Sequence, residues 1–159
     1  MEEKPSFEIK EGEFEGKNYL AKKYTNLAHE KITPDFFEQN YKAISKQKAD
    51  FGNGAPSAIF YTWDTLNLTT DIAIAIPIKE LPPKISDNFE IINISKNKCF
   101  FIDYYGSYAD MEPAHTTLSH FINSNNISGK FLAIEEYVTD PAAEPNPKKW
   151  LTKISYVKL

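Results

Sequence analysis

Residues 133–141 read Ala-Ile-Glu-Glu-Tyr-Val-Thr-Asp-Pro, an apolar strand pattern that carries two adjacent carboxylates and runs into a turn. Neighbouring side chains on a strand point to opposite faces. The pair therefore predicts one glutamate towards solvent and one towards the interior. A buried carboxylate without a partner is costly, so an interior one usually has a purpose. The chemistry that fits is contact with a cationic or polar small molecule inside an aromatic pocket. Strand parity groups Glu135 with Tyr137 and groups Glu136 with Ile134 and Val138. That second face is itself apolar, so parity leaves open which glutamate turns inward. The other reading is a solvent-facing glutamate on an edge strand.

Other chemistries have weaker signals. His29, His115 and His120 form no metal set; the last two are five residues apart, on different faces of a helix. Gly52-x-Gly54 reads as a turn rather than a phosphate loop. Ser107 lacks the G-x-S-x-G setting of a serine nucleophile. Cys99, the single cysteine, has no disulfide partner and sits in a strand-like run, where it reads as a buried thiol.

Composition narrows the partners. Net charge is −4, and all 18 basic residues are lysines. That argues against direct nucleic acid binding, which wants clustered basic residues. With no arginine, bidentate recognition of phosphate or carboxylate is excluded. No apolar segment suggests a leader or a membrane span, and the start, Met1–Pro5, is polar; the expected setting is cytoplasmic. Aromatic residues make up 14% of the chain. They serve a core first, and the rest can line a pocket.

The elements that must position these residues follow from pattern. Phe7 to Ala28 reads as extended, broken at Gly12 and Gly16. Thr33, Pro34 and Asp35 are a helix start, and Phe37, Tyr41 and Ile44 share one face of that helix. Ser57–Trp63 and Asp71–Lys79 read as strands. In the second, Ile72, Ile74, Ile76 and Ile78 alternate with Ala73, Ala75 and Pro77, a strand packed on both sides. Leu81-Pro82-Pro83 interrupts the chain near its midpoint. One or two strands run from Phe89 to Tyr105. A helix then begins near Asp110, with Ala114, Leu118, Phe121 and Ile122 on one face. Strands over Phe131–Thr139 and Trp150–Leu159 close the chain.

Each half thus reads strand, helix, strand, strand. Pro34 and Pro113, which open the helices, are 79 residues apart; Ala58 and Ala133 are 75 apart; Asp64 and Asp140 are 76 apart, which sets Tyr61 over Tyr137. The expectation is a single α+β domain over 1–159. It has two pseudo-symmetric β-α-β-β repeats, about 17–80 and about 89–159. They form a curved antiparallel sheet with two main helices and a central cleft, a common place for a ligand.

With its elements in this order, the chain resembles the GyrI-like small-molecule-binding domains, which also serve as the effector-binding domain of BmrR-type multidrug regulators of bacterial transcription. The resemblance rests first on Glu135-x-Tyr137-x-x-Asp140-Pro141 followed by Trp150–Ile154. It rests next on Tyr104-x-Gly106-Ser107-Tyr108 with Met111, Ala114 and Leu118. Its third part is Gly54-Ala55-Pro56 leading into Ile59-Phe60-Tyr61-x-Trp63-Asp64 and a strand ending Ile76-Pro77-Ile78. It covers nearly all of the chain after about residue 17. Tyr156-Val157-Lys158 departs from the family's usual apolar residue before proline.

The resemblance implies that Glu135 is the acidic pocket residue and Glu136 its solvent-facing neighbour. The candidate ligand contacts are Glu135, Tyr137, Tyr61, Trp63, Tyr104, Tyr108, Phe37, Tyr41 and Trp150. Phe37 and Tyr41 serve the core and touch ligand with their outer edges, and Trp150 is a half-exposed lid. The ligand would be a hydrophobic, often cationic small molecule, held by cation–π contacts of about 0.5–2 kcal/mol each. Two alternatives stay open. One is hydrolysis of an electrophilic, cyclopropane-bearing toxin with Glu135 as general base. The other is a protein partner, as in gyrase inhibition. The SOUL haem-binding proteins are similar in fold, but a lone helix histidine is more often structural, and neither cofactor nor metal is expected. No DNA-binding domain is expected within these residues.

Overall fold

The computed structural model describes residues 7–52 and 54–159. Asn53 of the expected Gly52–Gly54 turn and the polar start Met1–Pro5 lie outside the described residues. The elements among them are β1 (Lys10–Phe14), β2 (Lys17–Ala28), α1 (Pro34–Ser45), β3 (Asp50–Phe51), β4 (Ser57–Phe60), β5 (Thr69–Glu80), β6 (Glu90–Ile94), β7 (Asn97–Tyr105), α2 (Glu112–Ser124), β8 (Phe131–Tyr137) and β9 (Leu151–Lys158). The fold is α+β and every strand pairing within each compact unit is antiparallel. None of the described helices is long and apolar enough to cross a membrane.

One unit spans Glu15–Lys96, and its strands run β6-β2-β5-β4, with β3 also on β5. The other is Asn97–Leu159 with β1, and its strands run β1-β7-β9-β8. The order is the same in both: the strand before the helix, then the last strand, then the strand after the helix. Each unit takes its outer strand, β6 or β1, from beyond the repeat itself.

In the first unit β5 is central. Its Ile/Ala alternation buries both faces, and Ile72, Ala73, Ile74 and Ala75 are wholly inaccessible. Helix α1 starts as its residues dictate: Thr33 Oγ1 accepts from the Phe36 amide at 3.2 Å, Pro34 takes the first turn, and Asp35 meets the positive end of the helix dipole. Its buried ridge is Asn40 and Ile44; Phe37 and Tyr41 are only half-buried. Strand β4 ends at Phe60, three residues short of the expected Trp63. Beyond it Tyr61 N–H donates to Asp71 O, but Asp71 N–H then turns to Thr62 Oγ1 and the Thr70 hydroxyl to Thr62 O, so side chains replace the ladder.

In the second unit β7 and β9 carry the core face. Phe100, Ile102, Tyr104 and Ile154 pack under Met111 and under Ala114, Leu118 and Ile122 of α2. The helix begins at Glu112 rather than near Asp110, because Ser107 Oγ caps a separate 3-10 turn over Tyr108–Asp110. Gly106 just before it has φ +154°, and a Cβ there would lie 2.7 Å from the Tyr104 hydroxyl. Only glycine fits that turn.

Candidate functional site

The register of β8 decides what Glu135 faces. Glu135 lies beside Ile154 on β9, which lies beside Ile102 on β7; Tyr137 lies beside Thr152, which lies beside Tyr104. This is the face covered by α2. Its apolar ridge is Ala114–Leu118–Ile122, and His115, next to Ala114, leans over the flank of the sheet. His115 Nε2 sits 2.7 Å from Glu135 Oε2, and the Tyr137 hydroxyl donates to Glu135 Oε1 at 2.7 Å. On the other side of the ring, His115 Nδ1 lies 2.9 Å from the Tyr156 hydroxyl. Four residues from α2, β8 and β9 thus form one chain: Tyr156, His115, Glu135, Tyr137.

Glu135 is 8% exposed. Among the described residues its partners are His115 and Tyr137, and neither is a permanent cation. With the carboxylate ionised, Nε2 is the protonated ring nitrogen and Nδ1 of a neutral imidazole accepts from Tyr156. Burial holds the Tyr156 phenol above its ordinary range, the Ser119 hydroxyl pulls the other way, and the Glu135 charge raises it further. Ser119 stands one turn after His115 on α2, so the same helix face supplies both groups to Tyr156.

An aromatic tier adjoins the carboxylate. Tyr108 meets Tyr137 edge-on at 5.4 Å and stacks on Trp150 at 5.1 Å. Trp150 Nε1–H donates to Glu144 O at 2.6 Å, which ties the ring to the loop that follows Asp140-Pro141. Burial and the Asp140 charge push the Tyr108 phenol up. The structure therefore brings Glu135, Tyr137, Tyr108 and Trp150 together. Tyr104 is buried in the same unit with its hydroxyl donating to Ser107 O at 2.7 Å. In the other unit, Tyr61 lies under Lys23, whose Nζ is 4.4 Å from the ring centroid. Trp63, 56% exposed, stacks on His29 at 3.9 Å. Phe37 stacks on Tyr41 at 6.3 Å, and the Tyr41 hydroxyl donates to Ser57 O. Among the described residues no group of three or more His, Cys, Asp or Glu could hold a metal ion.

One expectation is corrected. Glu136 does not face solvent: it is 8% exposed, the same as Glu135. Strand β8 is buried on both faces from Ile134 to Glu136. Glu136 is directly opposite Lys153, and both act electrostatically on the buried Cys99 thiol, which burial pushes up.

No family model and no curated protein matches the sequence. Solved structures do. The crystal structure of the EcmrR C-terminal domain aligns over 95% of this chain and 96% of that domain, with a TM-score of 0.77 and 12% identity. In the EcmrR–DNA complex the TM-score is 0.76, and the chain spans 58% of the EcmrR chain. The structure of SAV2435 bound to tetraphenylphosphonium aligns over 96% of this chain and 94% of that one, with a TM-score of 0.67 and 13% identity. A hydrolase from Listeria innocua aligns over 97% and 93%, with a TM-score of 0.59 and 11% identity. The chain has the GyrI-like effector-domain fold. At these identities the shared property is the path of the backbone. Within this GyrI-like fold Glu135 and Tyr137 stand on β8, and the Tyr104–Tyr108 motif leads into α2.

Sequence reasoning missed His115, Tyr156 and Ser119. A signal was present. A buried carboxylate needs donors, and a chain without arginine must draw them from lysine, histidine, hydroxyl, indole or amide groups. His115 lies one residue from the Ala114–Leu118 ridge, close enough to the helix–sheet seam to reach across it.

Proposed function

We propose that this chain binds hydrophobic, cationic small molecules and that Glu135 meets the cation, with Tyr137, Tyr108 and Trp150 as its aromatic neighbours. The observation that carries this reading is a buried carboxylate whose hydrogen-bond partners bring no fixed positive charge. Such a charge costs stability unless a cation offsets it. A lipophilic cation would offset it in a low-dielectric setting and add cation–π contacts of about 0.5–2 kcal/mol each. The reading is supported by SAV2435, of similar fold, whose structure holds tetraphenylphosphonium. The test is calorimetric titration with tetraphenylphosphonium near pH 8. Glu135→Gln should weaken binding at least about tenfold, or about 1.4 kcal/mol. Binding of undiminished strength in that variant removes the role assigned to Glu135. Tyr61→Ala and Trp63→Ala serve as matched aromatic losses in the other unit.

A second reading is hydrolysis of an electrophilic small molecule with Glu135 as general base. The observation favouring it is the chain Tyr156–His115–Glu135–Tyr137, whose members can pass protons to and from the carboxylate. A Listeria innocua hydrolase of similar fold adds support. Incubation with a cyclopropane-bearing electrophile, followed by mass spectrometry, decides it. Product formed by the wild type and lost in Glu135→Gln supports catalysis; product that persists in the variant sinks it.

A further inference from the structure

We propose that His115 is the specificity-determining residue of this site, its protonation deciding whether Glu135 offers a net negative charge to a cation or is neutralised from within. The inference rests on the binding role given to Glu135 above. It stands on geometry: His115 Nε2 occupies one carboxylate oxygen at 2.7 Å, and the Tyr137 hydroxyl occupies the other. The His115 side chain is 24% exposed, so protons reach it from solvent.

Both protonation states of the ring keep their hydrogen bonds. In the neutral state Nε2–H donates to Glu135, Nδ1 accepts from the Tyr156 hydroxyl, and the cluster carries one negative charge. In the protonated state Nδ1–H donates to the Tyr156 oxygen. The Tyr156 proton then turns to the His115 carbonyl oxygen, 3.5 Å away, and the cluster is neutral. The switch needs only the rotation of one hydroxyl. Among the described residues the ring meets Glu135 on β8, which also holds the Tyr137 hydroxyl, and Tyr156 on β9, which also meets Ser119 of α2; the Tyr104 hydroxyl on β7 is committed to Ser107.

Histidine changes charge between pH 5 and 8. A permanent cation and the His115 proton then compete for one carboxylate. By linkage, cation binding is strongest where the ring is neutral and weakens as pH falls, by up to about tenfold per pH unit. Neutral ligands of similar shape lose no affinity over the same range.

The experiment measures tetraphenylphosphonium affinity from pH 8.5 to 5.5 in wild type, His115→Gln and Glu135→Gln, with NMR titration of the His115 ring in ligand-free protein. The amide introduced by His115→Gln retains a donor for Glu135 but cannot be protonated. The expected result is an affinity that falls with pH in wild type and stays level in His115→Gln. Equal pH dependence in wild type and His115→Gln overturns the proposal. Binding that is absent at every pH, or indifferent to Glu135→Gln, instead overturns the binding reading. In that case NMR of the ligand-free protein still judges the pairing. Removing the carboxylate should move the His115 ring resonances, and unmoved resonances overturn it.

Discussion

The two units share a strand order and differ in what joins helix to sheet. Cross-strand register aligns them row by row on the helix-covered face. Phe60–Ile72–Tyr24 in one corresponds to Glu135–Ile154–Ile102 in the other. Tyr24 marks the α1 face, because its hydroxyl donates to Asn40 Oδ1 at 2.7 Å. Asn40 in turn donates to Phe36 O at 2.8 Å. This row alignment keeps the 75-residue offset of Ala58 and Ala133. It rejects the 76-residue offset that set Tyr61 over Tyr137, since Tyr61 lies with Lys23 on the opposite face. One unit therefore clips its helix with a neutral amide and a phenol. The other uses an ionisable pair where its counterpart row has Phe60. A fold that needs only a neutral clip does not explain a buried carboxylate, and the ligand role proposed for Glu135 would account for it.

Matched substitutions set the two units against each other. The largest effects should be equal in both. Ile44→Ala under α1 and Leu118→Ala under α2 each remove a fully buried side chain, and each should cost about 2–5 kcal/mol in urea unfolding. A loss below about 1 kcal/mol at one site would show that its helix is not held by apolar packing.

Next come the clips. Asn40→Leu leaves the Tyr24 hydroxyl without its acceptor and should cost about 1–3 kcal/mol while leaving cation affinity unchanged. Glu135→Leu should leave stability level or raised, because replacing a buried charge by an apolar group is often neutral or stabilising, while cation binding disappears. If Glu135→Leu proves the more damaging to stability, the carboxylate is a structural clip like Asn40.

Helix starts come third. Thr33→Ala removes the cap of α1 and should cost about 1 kcal/mol. Ser107→Ala removes the cap of only a short turn before α2 and should cost less. Denaturation midpoints rank the two.

The last effect vanishes at neutral pH. Burial raises the phenols of Tyr104, Tyr108 and Tyr156 in one unit and of Tyr61 in the other. The folded state thus holds these protons more tightly than the unfolded state. Their contribution is intact below the unfolded value of about 10 and is lost as pH rises through the folded values. Thermal melts between about pH 9 and 11 should show stability falling, and Tyr156→Phe and Tyr61→Phe should each flatten that fall. An unchanged slope in either variant would remove that unit's phenol from the account.

What the sequence determined by itself was local. Thr33-Pro34-Asp35 sets a helix start through hydrogen bonds within one turn. The Ile/Ala alternation of β5 sets a strand with two buried faces. The order strand, helix, strand, strand appears twice because each segment carries its own period. What tertiary structure decided was every relation across the chain. Strand β4 stops at Phe60 because Thr62 and Thr70 redirect the ladder with their side chains. Glu136 is buried because β8 is covered on both faces, which no alternation within β8 can report. His115 reaches Glu135 across 20 residues and Tyr156 across 41. A pattern read along one segment fixes which way a side chain points. Only the packing of α2 on β8 and β9 fixes what it meets there.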